Sequence, residues 1–233
     1  MKKNVCFVFF CILSFLLTAR ASAAPAYGTK MPEKDHFSIG GQTHVVVERN
    51  LEGGNGEINS LQHFFLVSYG LLDWLSVDFK GGAGDAQNSR LNADQIKYPA
   101  FMAGGYGFRV RLYEKDELKI VAGFQHISVH PYSIFITNSA GDNHHKAVID
   151  DWQFSCLGSY QVRRFTPYAG LKVSRMDLIY WRNGERNRIK SDLSKSVGLV
   201  TGLDVDLTGH IWLNMEGQFL DGQSASASLN YRF

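Results

Sequence analysis

Beyond residue 35, apolar and polar side chains alternate with a period of two in segment after segment. From His36 to about Glu48, Phe37, Ile39, Thr43, Val45 and Val47 oppose Ser38, Gln42, His44 and Glu48. Further runs cover about Leu61 to Gly70, Trp74 to Gly84, Phe101 to Tyr113 and Leu118 to about Val129. Others cover Asp151 to Gln161, a segment starting at Pro167, then Ser196 to Asp206, Ile211 to Leu220 and the C-terminal stretch from Ser224. Period two puts successive side chains on opposite faces of a β-strand, so each segment predicts a strand with one apolar and one wet face. The reading is all-β: about ten antiparallel strands, with eight to twelve allowed.

Connections alternate in length. Short ones fall at Leu71–Asp73, Glu114–Glu117, Arg163–Thr166 and Leu207–His210, and longer polar ones near residues 49–60, 86–99, 130–148 and 182–194. A tight fifth lies near Asp221-Gly222-Gln223. Strands near ten residues long, with short turns at one end and longer loops at the other, fit a transmembrane barrel. The charges Asp78, Lys80, Arg109, Arg111, Lys119, Lys172, Asp204, Asp206, Glu216 and Arg232 all fall on polar faces. Lys or Arg facing lipid at mid-membrane costs roughly 2–4 kcal/mol, so these residues are expected to face the lumen. A soluble barrel would invert the pattern. Aromatics near strand ends (Trp74, Tyr113, Tyr168 and Trp212) are expected to mark the membrane interfaces.

The N-terminus has the layout of a secretory signal: basic Lys2 and Lys3, an apolar run from Val5 to Leu17, then Ala21-Ser22-Ala23. Cleavage is expected after Ala23, giving a signal peptide over 1–23, an N-terminal periplasmic segment over 24–35 and a barrel over 36–233. The cut removes three of 24 basic residues and leaves 21 against 22 acidic ones, a net charge of −1. Cys6 and Cys11 go with it, so Cys156 has no internal disulfide partner. A nearly neutral chain offers no basic footprint for nucleic acid.

The closing run Ser224-Ala225-Ser226-Ala227-Ser228-Leu229-Asn230-Tyr231-Arg232-Phe233 alternates strictly and ends on an aromatic residue. It resembles the last strand of small bacterial outer-membrane barrels of the OmpA-like, porin-like kind. The resemblance implies a Gram-negative outer-membrane location, contact with outer-membrane lipids, and a role for Tyr231 and Phe233 as the signal read by the barrel-assembly machinery. It is specific for architecture and says little of activity. A structural, surface-interaction or narrow-pore role is expected, with an extracellular ligand left open.

Chemistry-bearing constellations are few. In Phe124-Gln125-His126-Ile127-Ser128, the His and Ser are two apart on one strand and share a face. His126-Ile127-Ser128 resembles the short His-x-Ser element of outer-membrane lipid A deacylases, in which His and Ser act with a Glu at the outer rim. Here Val129 replaces that family's usual Asn, and Asp142 is the nearest downstream acid. With no orienter for the imidazole in the pattern, catalysis is not expected; a lipid hydrolase using His126, Ser128 and Asp142 is the alternative. Asp142-Asn143-His144-His145, with His130 upstream, is read as a polar loop and not a metal site, and no cofactor is expected. The glycine-rich Gly81-Gly82-Ala83-Gly84-Asp85 follows a strand without opening a helix and is no phosphate cradle.

Overall fold

A computed structural model describes residues 24–89, 95–138 and 141–233; the expected signal peptide, with Cys6 and Cys11, lies outside the described residues. The strands are β1 (Phe37–Asn50), β2 (Glu57–Leu72), β3 (Leu75–Ser89), β4 (Ile96–Lys115), β5 (Leu118–His130) and β6 (Ile134–Asn138). They continue as β7 (Gly141–Tyr160), β8 (Phe165–Arg182), β9 (Glu185–Lys190), β10 (Val197–Asp206), β11 (Ile211–Phe219) and β12 (Gln223–Arg232). Ten of them close an antiparallel barrel in the order β1-β2-β3-β4-β5-β7-β8-β10-β11-β12, with β12 pairing back onto β1. The seam runs from Ser38 opposite Arg232 to Glu48 opposite Gln223. The two extra strands, β6 and β9, form hairpins on β7 and β8 inside segments that the sequence pattern leaves as loops.

Faces follow the alternation. Phe65, Phe79, Tyr106, Phe154, Leu171, Val173, Met215 and Leu229 point outward and are exposed. Gln42, His44, Gln62, Asp78, Lys80, Arg109, Gln125, Gln153, Lys172, Asp204, Asn214, Glu216 and Gln218 are buried in the bore. Tyr168 and Trp212, expected at the interfaces, also lie inside, at 3% and 8% exposure. Their parity decides this, since Tyr168 and Trp212 fall in step with Thr166 and Asn214 and not with the outward residues. Trp74 and Tyr113 are exposed as expected.

Towards the loop end the pattern turns inside out. The bore there is filled by an apolar cluster containing Leu51, Ile58, Phe64, Ile127, Val129, Ile149, Met176, Leu178 and Ile189. On β5, β7 and β8 the outward positions at that height are His126 and Ser128, Asp150, and Arg175 and Asp177. The rim is uneven: β7 and β8 run 20 and 18 residues, whereas β11 and β12 run 9 and 10. The chain after β9 crosses the mouth to the β1–β2 loop, where the Asp192 N–H donates to the Asn50 carbonyl at 3.1 Å. Arg49 ties the crossing down, donating to Ser191 Oγ at 3.2 Å and to Asp221 Oδ2 at 2.9 Å.

Residues 24–35, expected in the periplasm, instead enter the bore. Ala24, Ala26 and Thr29 are at most 2% exposed. The Ala26 N–H donates to Glu216 Oε1 at 2.7 Å, Gln218 Nε2 donates to the Ala24 carbonyl at 2.7 Å, and Thr29 Oγ1 donates to Ser159 Oγ at 2.6 Å. Tyr27 and Gly28 turn the segment with φ of 66° and 65°. The physical reason is supply of hydrogen bonds: a polar bore leaves carboxylates and amides to satisfy, and an extended segment offers N–H and C=O groups at every residue. At the turn end the segment leaves the bore beside Gly70, where the Asp35 N–H donates to the Gly70 carbonyl at 2.9 Å.

Candidate functional site

Two regions concentrate polar chemistry. Inside, Arg109 donates from Nε to Asp78 Oδ2 at 2.9 Å and from Nη2 to Asp78 Oδ1 at 2.7 Å, and its Nη1 reaches the Tyr27 and Lys30 carbonyls. Gln125 adds a bond to Asp78 at 3.1 Å. Asp221 gathers Arg49 and Lys172, each at 2.9 Å, and Ser174. Tyr168 donates to Glu216 at 3.0 Å, Asn214 bridges Tyr168 and Asp204, and Lys80 lies 4.3 Å from the Tyr27 ring centre. Nearer the turn end, Lys30 pairs with Asp206, while Arg111 and Lys119 both pair with Glu114. Arg111, Lys119, Asp206 and Arg232 line a vestibule of about 640 Å³ at that end. Deeper, beside Tyr27 and Arg109, a void of about 20 Å³ remains.

Outside, a second cluster spans β5, β7, β8 and β9. Ser128 stands opposite Asp150, and Asp150 opposite Asp177. His126 Nε2 lies 2.8 Å from Asp150 Oδ1, and Ser128 Oγ lies 3.0 Å from His130 Nε2. Asp177 accepts from Arg175 Nε at 3.2 Å and from Arg188. The hydrogen bond with Asp177 raises the Arg188 guanidinium above its ordinary value, the carboxylate's charge adding to it. One row higher Lys146, Trp181 and Arg186 stand side by side, with the two cations 5.0 and 5.8 Å from the Trp181 ring.

The height of the outer cluster is set by strand length. Ten residues separate Leu118 from Ser128, Tyr160 from Asp150 and Phe165 from Arg175. Tilted strands cross a hydrocarbon layer in about 9–11 residues. Below this level the wall is apolar outside and polar inside; above it the arrangement reverses, as it must where the wall meets water. The chain has the fold of a bacterial outer-membrane β-barrel. In that fold the short turns lie on the periplasmic side and the longer loops outside.

No family model matches the outer-membrane barrel, and no curated protein matches it in sequence. Among solved structures it is similar to the translocator domain of the autotransporter NalP from Neisseria meningitidis, at 14% identity over 85% of this chain and 88% of that one, TM-score 0.47. It is also similar to Ail, the attachment invasion locus protein of Yersinia pestis, at 11% identity over 87% and 100%, TM-score 0.41. The outer membrane protease OmpT from Escherichia coli matches at 12% identity over 89% and 100%, TM-score 0.42.

The structure sorts the expected site residues. The expected lumen charges face the bore or its vestibule. His126 and Ser128 share the outward face, but they do not bond to each other. Asp142 does not join them: it accepts from Thr137 at 2.6 Å within the β6–β7 hairpin. The carboxylate beside His126 is Asp150, which the sequence reading missed because its place depends on how β7 registers against β5 across an intervening hairpin. The signal available in sequence is parity, since Asp150 alternates outward with Trp152 and Phe154. His144 packs against Phe135 and does not meet His130, which is engaged with Ser128. Tyr231 and Phe233 sit at the seam, where Phe233 stacks on Phe37 with ring centres 4.2 Å apart.

Proposed function

We propose that the protein is a sealed, non-conducting barrel whose role is structural or lies in surface interaction, its bore serving as a packed polar core and not as a path for solutes. The observation that carries this reading is the occupation of the bore by residues 24–35 beneath an apolar layer. Ion passage would require displacing that segment from Glu216, Gln218 and Ser159 and hydrating the contacts between Ile127, Ile149 and Met176, at the loss of transfer free energy for each exposed apolar side chain. The purified protein in a planar bilayer is expected to give no unitary conductance steps. Steady porin-like steps from the intact chain would sink the proposal.

A second reading, a membrane-embedded lipid hydrolase, is favoured by one observation: the Ser128–His130 contact beside the His126–Asp150 pair. In that reaction Ser128 Oγ attacks an ester carbonyl of a lipid while its proton passes to His130 Nε2. The leaving alcohol takes that proton, and water then releases the acid from the serine ester. Against it, His130 has no carboxylate partner among the described residues, and a dyad without an orienter is weak. The sealed-barrel reading expects Ser128→Ala to leave lipid A and phospholipid profiles unchanged. A deacylated species lost in that variant and restored by the wild type would favour hydrolysis.

A further inference from the structure

We propose that the outward face formed by Lys146, Trp181, Arg186 and Arg188 is a binding site for the phosphate groups of an outer-leaflet glycolipid. The inference goes beyond the sealed-barrel reading and holds whether or not Ser128 is catalytic.

Position comes first. Asp150 marks the hydrocarbon boundary on β7. Two residues along a tilted strand climb roughly 5 Å, so on β7 Val148 lies about 5 Å and Lys146 about 10 Å above the boundary, with Ile179 and Trp181 paired to them on β8 and Arg188 and Arg186 next in line on β9. Lipid headgroups occupy about 5–7 Å beyond the hydrocarbon on each side, so the lower row lies within that layer and the upper row just above it. Long cationic side chains reach down to that layer from slightly above it.

Composition comes second. Arg188 stands opposite Ile179, and Lys146 and Arg186 stand on either side of Trp181, so the three cations share one wall. Arg175 adds a fourth charge one row below Asp177. The carboxylate of Asp177 is 2% exposed under Arg175 and Arg188, and it orients them without presenting its own charge. The Arg188 side chain remains 46% exposed. Lys146 and Arg186 have no carboxylate partner among the described residues; their contacts are with Trp181. Two uncommitted cations on an indole face, beside a guanidinium held by a buried carboxylate, present donors to an anion. The fork of Arg188 suits phosphate oxygens, and the indole suits the interface itself.

Contrast comes third. Strands β1 and β2 lie on the opposite side of the ten-stranded ring from β7 and β8. Around β1–β3 the described charges near the rim are Glu48, Glu52, Glu57 and Asp85, with Arg49 turned inward against Asp221. Among the described residues, exposed outward cations are therefore concentrated on the β7–β9 wall and sparse across the ring. An uncharged lipid surface gives no reason for such sorting, whereas phosphate does, at about a fivefold gain in affinity per cation near an anionic surface.

The test uses the whole barrel in neutral detergent and measures retention of bis-phosphorylated lipid A. Lys146→Ala/Arg186→Ala/Arg188→Ala is expected to bind roughly a hundredfold more weakly. Lys97→Ala, at the rim outside the patch, is expected to bind as wild type. Dephosphorylated lipid A should bind wild type as weakly as the phosphorylated lipid binds the triple variant, and millimolar inorganic phosphate should fail to displace the lipid. Should the triple variant fail to assemble, Arg186→Ala, an exposed residue with no ion pair, is expected to lose severalfold by itself. Equal binding of the dephosphorylated lipid, unchanged retention by the folded variants, or displacement by inorganic phosphate would each overturn the site. So would loss of a soluble acidic polysaccharide by the variants without loss of lipid.

Discussion

Arg109 joins the wall to the segment inside it. Its two-toothed contact with Asp78 fixes the guanidinium across β3 and β4, and the remaining donors reach the Tyr27 and Lys30 carbonyls. Both side chains of the ion pair are at most 4% exposed. Removing one partner from such a buried pair strands the other charge and costs about 3–5 kcal/mol. Asp78→Ala is therefore expected to lower unfolding stability in urea by that amount. Arg109→Ala should also make residues 24–35 accessible to a protease added from the periplasmic side; equal resistance to both challenges would show that the pair is incidental. Gly70 makes a related point sterically. A Cβ there would lie 2.0 Å from the Glu33 carbonyl oxygen, so only glycine lets the segment leave the bore at this place. Gly70→Ala is expected to release the segment without disturbing the strands, again read by protease access.

At the level of the strand, parity was legible and height was not. The alternation in Ile211–Phe219 assigns Leu213 and Met215 outward and Asn214 and Glu216 inward, and the structure has them so. The same parity put Asp78, Lys80, Arg109 and Glu216 in the lumen. What single strands do not reveal is where along their length the surroundings change from lipid to water. That level depends on shear between neighbours, and neither the apolar plug at Ile127, Ile149 and Met176 nor the meeting of His126 with Asp150 follows from one strand alone. The hairpins of β6 and β9 were hidden for a related reason: Ile134–Asn138 is only five residues long, and Glu185–Lys190 is polar at every position but Ile189. In a Cys156→Ala background, cysteines replacing Phe154, Leu171 and Met215 are expected to react with a lipid-soluble reagent. Cysteines replacing Lys146 and Trp181, outward but above the boundary, should take a water-soluble one from outside. Glu216→Cys reacting only with the lipid-soluble reagent would mean that the register slips by one residue.

Over the whole molecule, closure depends on pairing the first strand with the last, the most distant partners in sequence. Phe233 ends that seam, stacked on Phe37 and donating its N–H to the Phe37 carbonyl at 3.2 Å. Deleting it is expected to reduce the heat-modifiable barrel reaching the membrane more than it reduces the urea stability of whatever barrel forms; normal insertion kinetics would argue against an assembly role. Processing after Ala23 is a separate proposal, tested by N-terminal sequencing of membrane-extracted protein. It would leave a new amino group at Ala24, whose backbone amide already bonds Asp151, a buried carboxylate with one oxygen lacking a hydrogen-bond partner among the described residues. The uneven rim has a different consequence. A barrel of even height and charge has no front or back when viewed along the membrane normal. This one has a tall cationic flank at β7–β9 and an acidic flank across the ring, so it carries an electric direction lying in the plane of the membrane. Packed among neighbours, it is a rotor with a preferred heading, and the molecules on its two sides need not be the same.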